Sequence, residues 1–117
     1  MHLEKMSETH VAKCADLFID AFTREPWKDE YSSAEQVVGY FRNCLKFDSF
    51  IGYVLKEGGE TVALCLGMKK PWINGTEYFI DQFCVKPGLQ GQGIGSAFLK
   101  MIENSVRGQG MNAMILQ

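Results

Sequence analysis

Four glycines, Gly88, Gly91, Gly93 and Gly95, fall within eight residues and lead directly into an amphipathic run. Glycine allows positive φ and lets a backbone come close to a ligand. The first turn of a helix carries free N–H groups and a partial positive charge. A glycine-rich loop feeding a helix is therefore an anion cradle, suited above all to a diphosphate. A tight connection by itself needs only one or two glycines. The spacing also sets this loop apart from two other phosphate binders. A dinucleotide fingerprint reads G-x-G-x-x-G/A, but three residues after Gly93 stands Ser96. A P-loop needs G-K-S/T, and the sequence has none. The residues spell Q-x-x-G-x-G from Gln90 to Gly95, with Val85-x-Pro87 ahead of it.

The rest of the composition narrows the chemistry. The chain has 117 residues, 46% hydrophobic and 22% charged, which fits one globular domain with one core. Its net charge of −2, without a basic run, argues against nucleic acid, which needs clustered Lys and Arg. Cys14, Cys44, Cys65 and Cys84 are far apart, with no C-x-x-C pair and no neighbouring His, so the expectation is no metal. All four sit among apolar residues and read as buried free thiols, consistent with a reducing, cytoplasmic compartment. Met1–Lys5 is no signal peptide, and no apolar run approaches the roughly 18 residues that span a membrane. His2 and His10 receive no role.

The elements that must carry the loop follow from periodicity. Met1–Met6 reads as a short strand. Ser7 is a plausible N-cap, with Glu8 in the first turn of a helix whose apolar residues are Val11, Ala15, Phe18 and Phe22. Pro26 interrupts, leaving a loop of acids and aromatics from Arg24 to Tyr31. Ser32 and Glu35 predict a capping box for a second helix, with Val37, Val38, Phe41 and Leu45 facing inward. Three strands are expected over Phe50–Lys56, Glu60–Lys69 and Thr76–Val85, turning at Gly58-Gly59 and Asn74-Gly75. Ile94, Phe98, Ile102 and Val106 mark the third helix, which Gly108 and Gly110 end. Met111–Leu116 is the last strand, expected parallel to its predecessor with a right-handed crossover. Strict alternation along the third of the three strands puts Asp81, Phe83 and Val85 on one face and Gln82 and Cys84 on the other.

The segment FCVKPGLQGQGIGSAFL, Phe83 to Leu99, resembles motif A of the GNAT N-acetyltransferases in its V-x-P, its Q-x-x-G-x-G and the helix that follows. The element order is similar to that family's over nearly the whole chain. The resemblance implies an α/β (α+β) fold: a mixed, mostly antiparallel sheet flanked by helices, in one domain over residues 1–117. It implies acetyl-CoA as co-substrate and transfer of the acetyl group to a primary amine by direct attack in a ternary complex. Backbone amides of Gln90, Gly91, Gln92, Gly93, Ile94, Gly95 and Ser96 are then expected to hold the diphosphate. The strand backbone at Phe83, Cys84 and Val85 is expected to pair with the pantetheine arm like an added strand, which requires the fourth and last strands to splay apart. A strand amide there is placed to stabilise the oxyanion of the tetrahedral intermediate.

The same resemblance makes Asp81 a candidate base, because an amine must be neutral to attack. Glu77 is the weaker candidate. The competing reading is that Asp81 is solvated or paired with a Lys. Cys84 is read as a core thiol, since no His stands near it and the family transfers directly. Trp27 and Tyr31, with Glu25, Asp29 and Glu30, lie in the family's acceptor region and suit a cationic amine, although a solvated loop with Trp27 packed as a lid over the core is the slightly favoured reading. Family members usually continue past the last strand with another helix and a hairpin. The expectation is therefore a C-terminally incomplete domain whose exposed last strand favours a homodimer or larger oligomer. The alternative function is a non-catalytic acyl-CoA binding module or an interaction domain derived from this fold.

Overall fold

The computed structural model describes residues 1–23 and 33–116. Its elements are β1 (His2–Lys5), a 3-10 turn (Glu8–His10), α1 (Val11–Phe22), α2 (Ala34–Cys44), β2 (Phe50–Glu57), β3 (Glu60–Trp72), β4 (Gly75–Val85), α3 (Ile94–Gly108) and β5 (Ala113–Leu116). The strands form one sheet in sequence order, antiparallel from β1 to β4 and parallel between β4 and β5. The expected order and the mixed, mostly antiparallel sheet are both present.

Helices cover both faces of the sheet. On one face, Val54, Leu64, Leu66 and Cys84 meet α1 and α2 through Val11, Cys14, Phe18, Val37 and Phe41. On the other, Tyr53, Leu55, Cys65, Tyr78, Ile80 and Val85 meet α3 through Phe98, Ile102 and Val106. Burial on both faces explains why β3 reads as an unbroken apolar run, with Val62 to Leu66 all buried.

Local chemistry sets the helix starts. The Ser7 amide donates to His10 Nδ1 at 3.0 Å, so the proton of this ring sits on Nε2, which donates to Glu4 Oε1 at 2.8 Å. Glu8, beside that cap, pairs with Arg42 Nε of α2 at 2.7 Å. At α2, Ser32 of the expected Ser32–Glu35 capping box lies outside the described residues. Ser33 has the extended backbone of an N-cap (φ −169°, ψ 163°), and its hydroxyl accepts from the Gln36 amide at 3.3 Å. The N-cap of α2 is Ser33, the last extended residue before the helix.

Three strands run further than expected: β2 reaches Glu57, β4 starts at Gly75, and β3 gains three residues. β3 continues through Lys70, Pro71 and Trp72, and Trp72 pairs with Gly75 across a two-residue turn. Gly75 adopts φ 134°, and Asn112 Nδ2 donates to the Asn74 carbonyl at 2.6 Å, binding the turn to the start of β5. The β3–β4 register also shifts. Leu66 faces Gln82 and Gly67 faces Ile80, so Asp81 is an extra residue in a β-bulge. The alternation expected for β4 does not carry across it. Ile80 and Phe83, an odd number of residues apart, both pack on the α3 side of the sheet.

Candidate active site

The bulge coincides with the point where β4 loses its outer neighbour. β4–β5 pairing runs from Glu77 with Ala113 to Ile80 with Leu116. From Asp81 to Val85, β4 has no β5 partner among the described residues. Its other edge stays paired with β3 through Val85. One row of β4 backbone groups is therefore left for another partner, the geometry used in β-augmentation.

The glycine-rich loop begins where this edge ends. Gly88, Gly91 and Gly93 all have positive φ, at 91°, 82° and 80°. Each looks onto open space where a Cβ would project. Gly93 is the N-cap of α3 in left-handed conformation, no side chain caps that terminus, and the first turn holds no acid. The opening amides of α3 are thus left without intrahelical acceptors. The glutamines fasten the loop rather than filling it: Gln90 Nε2 donates to the Val85 carbonyl at 3.2 Å, and Gln92 Nε2 to the Gly88 carbonyl at 3.4 Å. The Phe83 and Phe98 rings stack at 5.3 Å and fix α3 against the end of β4. Gly95 sits over that contact, its Cβ position 3.6 Å from Val85 Cγ2.

Between the unpaired end of β4 and the end of α1 lies a cleft of about 170 Å³ lined by Ala21, Phe22, Phe83, Cys84, Val85 and Gln90. Its walls are almost wholly apolar. A larger cleft of about 550 Å³ lies between α1 and the β2–β3 turn, but there Lys13, Lys56 and Lys86 alternate with Asp16, Asp20 and Glu60. That cleft has neither the α3 amides nor the open β4 edge.

The residues singled out from the sequence fall into groups. Phe83, Cys84, Val85 and Gln90 line the small cleft, and Gly95 of the loop packs against Phe83 and Val85. Asp81 is exposed, two residues along β4 from it. Glu77 lies four residues further back, where β4 is paired on both sides. Trp27 and Tyr31 lie outside the described residues. Cys84 is 7% exposed, and burial pushes its thiol up to about 12. A neutral, buried thiol fits the core reading rather than a nucleophile. The described residues include no group of three or more metal-ligating side chains.

Two residues that line the cleft were not singled out for it. Ala21 and Phe22 line the cleft because they end α1, whereas periodicity reads Phe22 only as core. Tyr40 is 41% exposed on α2. Burial, then the neighbouring Cys44 thiol and Asp81 carboxylate, raises its hydroxyl above the ordinary tyrosine value, and Gln82 also engages that hydroxyl. No spacing rule links a tyrosine on α2 to a bulge more than forty residues later.

Comparison with known proteins agrees with this geometry. The profile of the acetyltransferase (GNAT) family matches residues 11–117. A ribosomal-protein-alanine N-acetyltransferase from Brucella melitensis biovar Abortus 2308 superposes with TM-score 0.79 at 14% identity, covering 100% of this chain and 80% of that one. An aminoglycoside acetyltransferase, HMB0005, from an uncultured soil metagenomic sample gives 0.73 at 22% identity, with 99% and 78% covered. The aminoglycoside N-acetyltransferase AAC(6')-Iy, in complex with CoA, gives 0.74 at 13% identity, with 99% and 75% covered. These likenesses show the fold. Comparison with curated proteins returns no match. With the family profile spanning α1 through β5 and the glycine loop, open β4 edge and cleft in one place, the chain belongs to the acetyltransferase (GNAT) family.

Proposed function

We propose that this domain moves the acetyl group of acetyl-CoA to a primary amine by direct attack. One observation carries the reading: the end of β4 that has no β5 partner among the described residues leads straight into the uncapped, left-handed glycine start of α3, and that strand end lines a mostly apolar cleft together with Gln90 of the loop. The amides from Gln90 to Ser96 bind the diphosphate, using the partial positive charge of the helix terminus. The backbone at Phe83, Cys84 and Val85 pairs with the amides of the pantetheine arm, and the cleft takes its apolar stem. CoA in the complex of AAC(6')-Iy supports this choice of co-substrate.

In the transfer, the amine nitrogen attacks the thioester carbon. The N–C bond forms, the C–S bond breaks, and the sulfur leaves as thiolate to be protonated from solvent. A β4 amide donates to the oxyanion. Asp81, exposed in the bulge, takes the proton that the amine sheds, directly or through water. The similar structures include an aminoglycoside acetyltransferase and a ribosomal-protein-alanine N-acetyltransferase, so a small-molecule amine and a protein amine both belong to the proposed class.

Calorimetric titration with acetyl-CoA, beside Gly93→Asp, tests the cofactor site. That glycine faces open space, so the variant sets a carboxylate in the diphosphate cradle without crowding its neighbours. Binding by the parent and loss in the variant is the expected result. A folded parent that does not bind acetyl-CoA overturns the reading. A parent that binds but releases no CoA with amines is the non-catalytic acyl-CoA module instead.

A further inference from the structure

We propose that the tip of the β3–β4 hairpin is a docking element for an anionic lipid surface, holding the domain there with its glycine-loop end turned towards water. The proposal stands independently of the acetyl-transfer reading, because it uses the opposite end of the sheet.

The hairpin outruns its neighbours. β2 begins at Phe50, opposite Met68, and β5 begins at Ala113, opposite Glu77. Lys70, Pro71 and Trp72 of β3 therefore lie beyond β2, and Gly75 and Thr76 of β4 lie beyond β5. At the apex Pro71, Trp72 and Ile73 form an exposed apolar run, with Trp72 63% and Ile73 84% exposed. Such a run on a projecting turn has no core to join, and exposed apolar patches mark contact surfaces. The tip is nevertheless held in shape, because Trp72 pairs with Gly75 and Asn112 fastens the Asn74 carbonyl. Ordering it against a partner costs little conformational entropy. The Lys69 amide donates to the Ser49 carbonyl at 2.8 Å, which brings the α2–β2 connection and its exposed Phe47 to the same end.

This end is basic although the chain as a whole carries −2. Lys46, Lys69 and Lys70 are exposed around the tip, and Lys5 shares a crevice with Lys69. The acids among them are Asp48 and Glu77. Lys70 Nζ lies 4.6 Å over the Phe79 ring, which steadies its stem while the residue stays exposed. Tryptophan and isoleucine at an apex, backed by lysines, suit the boundary of a bilayer. The apolar side chains enter below the headgroups, and the ammonium groups meet the anionic ones. A convex tip fits a surface that yields around it. β4 has 11 residues, so at about 3.4 Å each the glycine loop stands roughly 35 Å from the tip. Docking through the tip leaves the cleft accessible.

The test is co-sedimentation of the full chain with vesicles of equal parts phosphatidylserine and phosphatidylcholine, beside vesicles of phosphatidylcholine alone. The parent is expected to sediment with the anionic vesicles, less so as salt rises, and its tryptophan emission to move to shorter wavelength. Trp72→Phe should lose that emission shift. Trp72→Ala with Ile73→Ser is expected to weaken binding about tenfold or more, through the apolar area it removes. Lys69→Gln with Lys70→Gln is expected to weaken it about twentyfold, since each lysine near an anionic surface is worth about fivefold. Lys13→Gln with Lys100→Gln removes the same charge elsewhere and should stay within about threefold of the parent. All these side chains are exposed, so the fold should survive every change. Melting temperatures check this, and the remaining variants decide if one of them unfolds. A parent that does not sediment with anionic vesicles overturns the proposal. So does equal binding to both vesicles, or an equal loss in the two lysine pairs. A parent that ignores lipid but self-associates in light scattering, with Trp72→Ala and Ile73→Ser restoring the monomer, also overturns it and makes the tip a contact between copies.

Discussion

Gly67 of β3 lies directly against the ring of Tyr78 on β4. A Cβ at Gly67 would come within 2.5 Å of Tyr78 Cζ and 2.6 Å of the Phe79 carbonyl oxygen. Tyr78 is fully buried, and its hydroxyl donates to the Ile51 carbonyl on β2. The contact sits immediately beside the bulge, since Gly67 is the first residue past the register shift that frees Asp81. Glycine at 67 and tyrosine at 78 together set the local geometry of β4.

Gly67→Ala is therefore expected to destabilise the fold by about 1–3 kcal/mol, because neither a buried ring nor a strand carbonyl can yield cheaply. Urea unfolding measures it. If the variant is as stable as the parent, Tyr78 does not depend on the missing side chain.

Asp81→Asn should lower kcat by roughly 10²-fold to 10⁴-fold, the usual contribution of a positioned base, while acetyl-CoA affinity stays unchanged. The separation is expected because Asp81 lies beyond the lining of the cleft. Steady-state kinetics beside calorimetry reads both. An unaltered kcat would return Asp81 to the surface and move the proton to water.

Gly93→Ala and Gly93→Asp separate strain from charge. Both place a side chain at φ 80°, costing about 1–2 kcal/mol in stability. Only the aspartate brings a negative charge to the α3 terminus. Acetyl-CoA affinity should fall further in Gly93→Asp than in Gly93→Ala, with similar melting temperatures in the two variants. Equal affinities in the two would show that the anion is held elsewhere.

Burial pushes the Cys14, Cys65 and Cys84 thiols up to about 12 from an ordinary value of 9.0. Between those values the unfolded chain has lost protons that the folded chain keeps, so stability falls as pH rises. Each thiol contributes at most about 1.4 kcal/mol per pH unit in that window. Urea unfolding at pH 8, 9 and 10 should show the decline steepening above pH 9, and Cys84→Ala should make it shallower. At pH 8 a thiol reagent should find Cys44, which is only half-buried, ahead of the other three. Fast modification of Cys84 in the folded protein would contradict its place in the core.

Much of this protein was legible in the order of its residues. Ile94, Phe98, Ile102 and Val106 recur every four residues and declare α3, because only a helix brings such positions onto one face. The apolar centre of β3 and the turns at Gly58-Gly59 and Asn74-Gly75 mark the meander. The run from Gln90 to Gly95 marks the loop. These signals are local: each depends on backbone preference and periodicity within about a dozen residues.

What the sequence by itself determined, then, was the set of elements, their order and the glycine-rich loop. Tertiary structure alone decided the bulge at Asp81, the Gly67–Tyr78 contact and the contact of Tyr40 with Phe18. The bulge depends on how β3 and β4 register against each other, and a shift of one residue there leaves no trace in either strand's alternation. The contact of Tyr40 with Phe18 depends on how α2 lies against α1. The sum of many side-chain contacts sets that packing, and no short-range pattern encodes it.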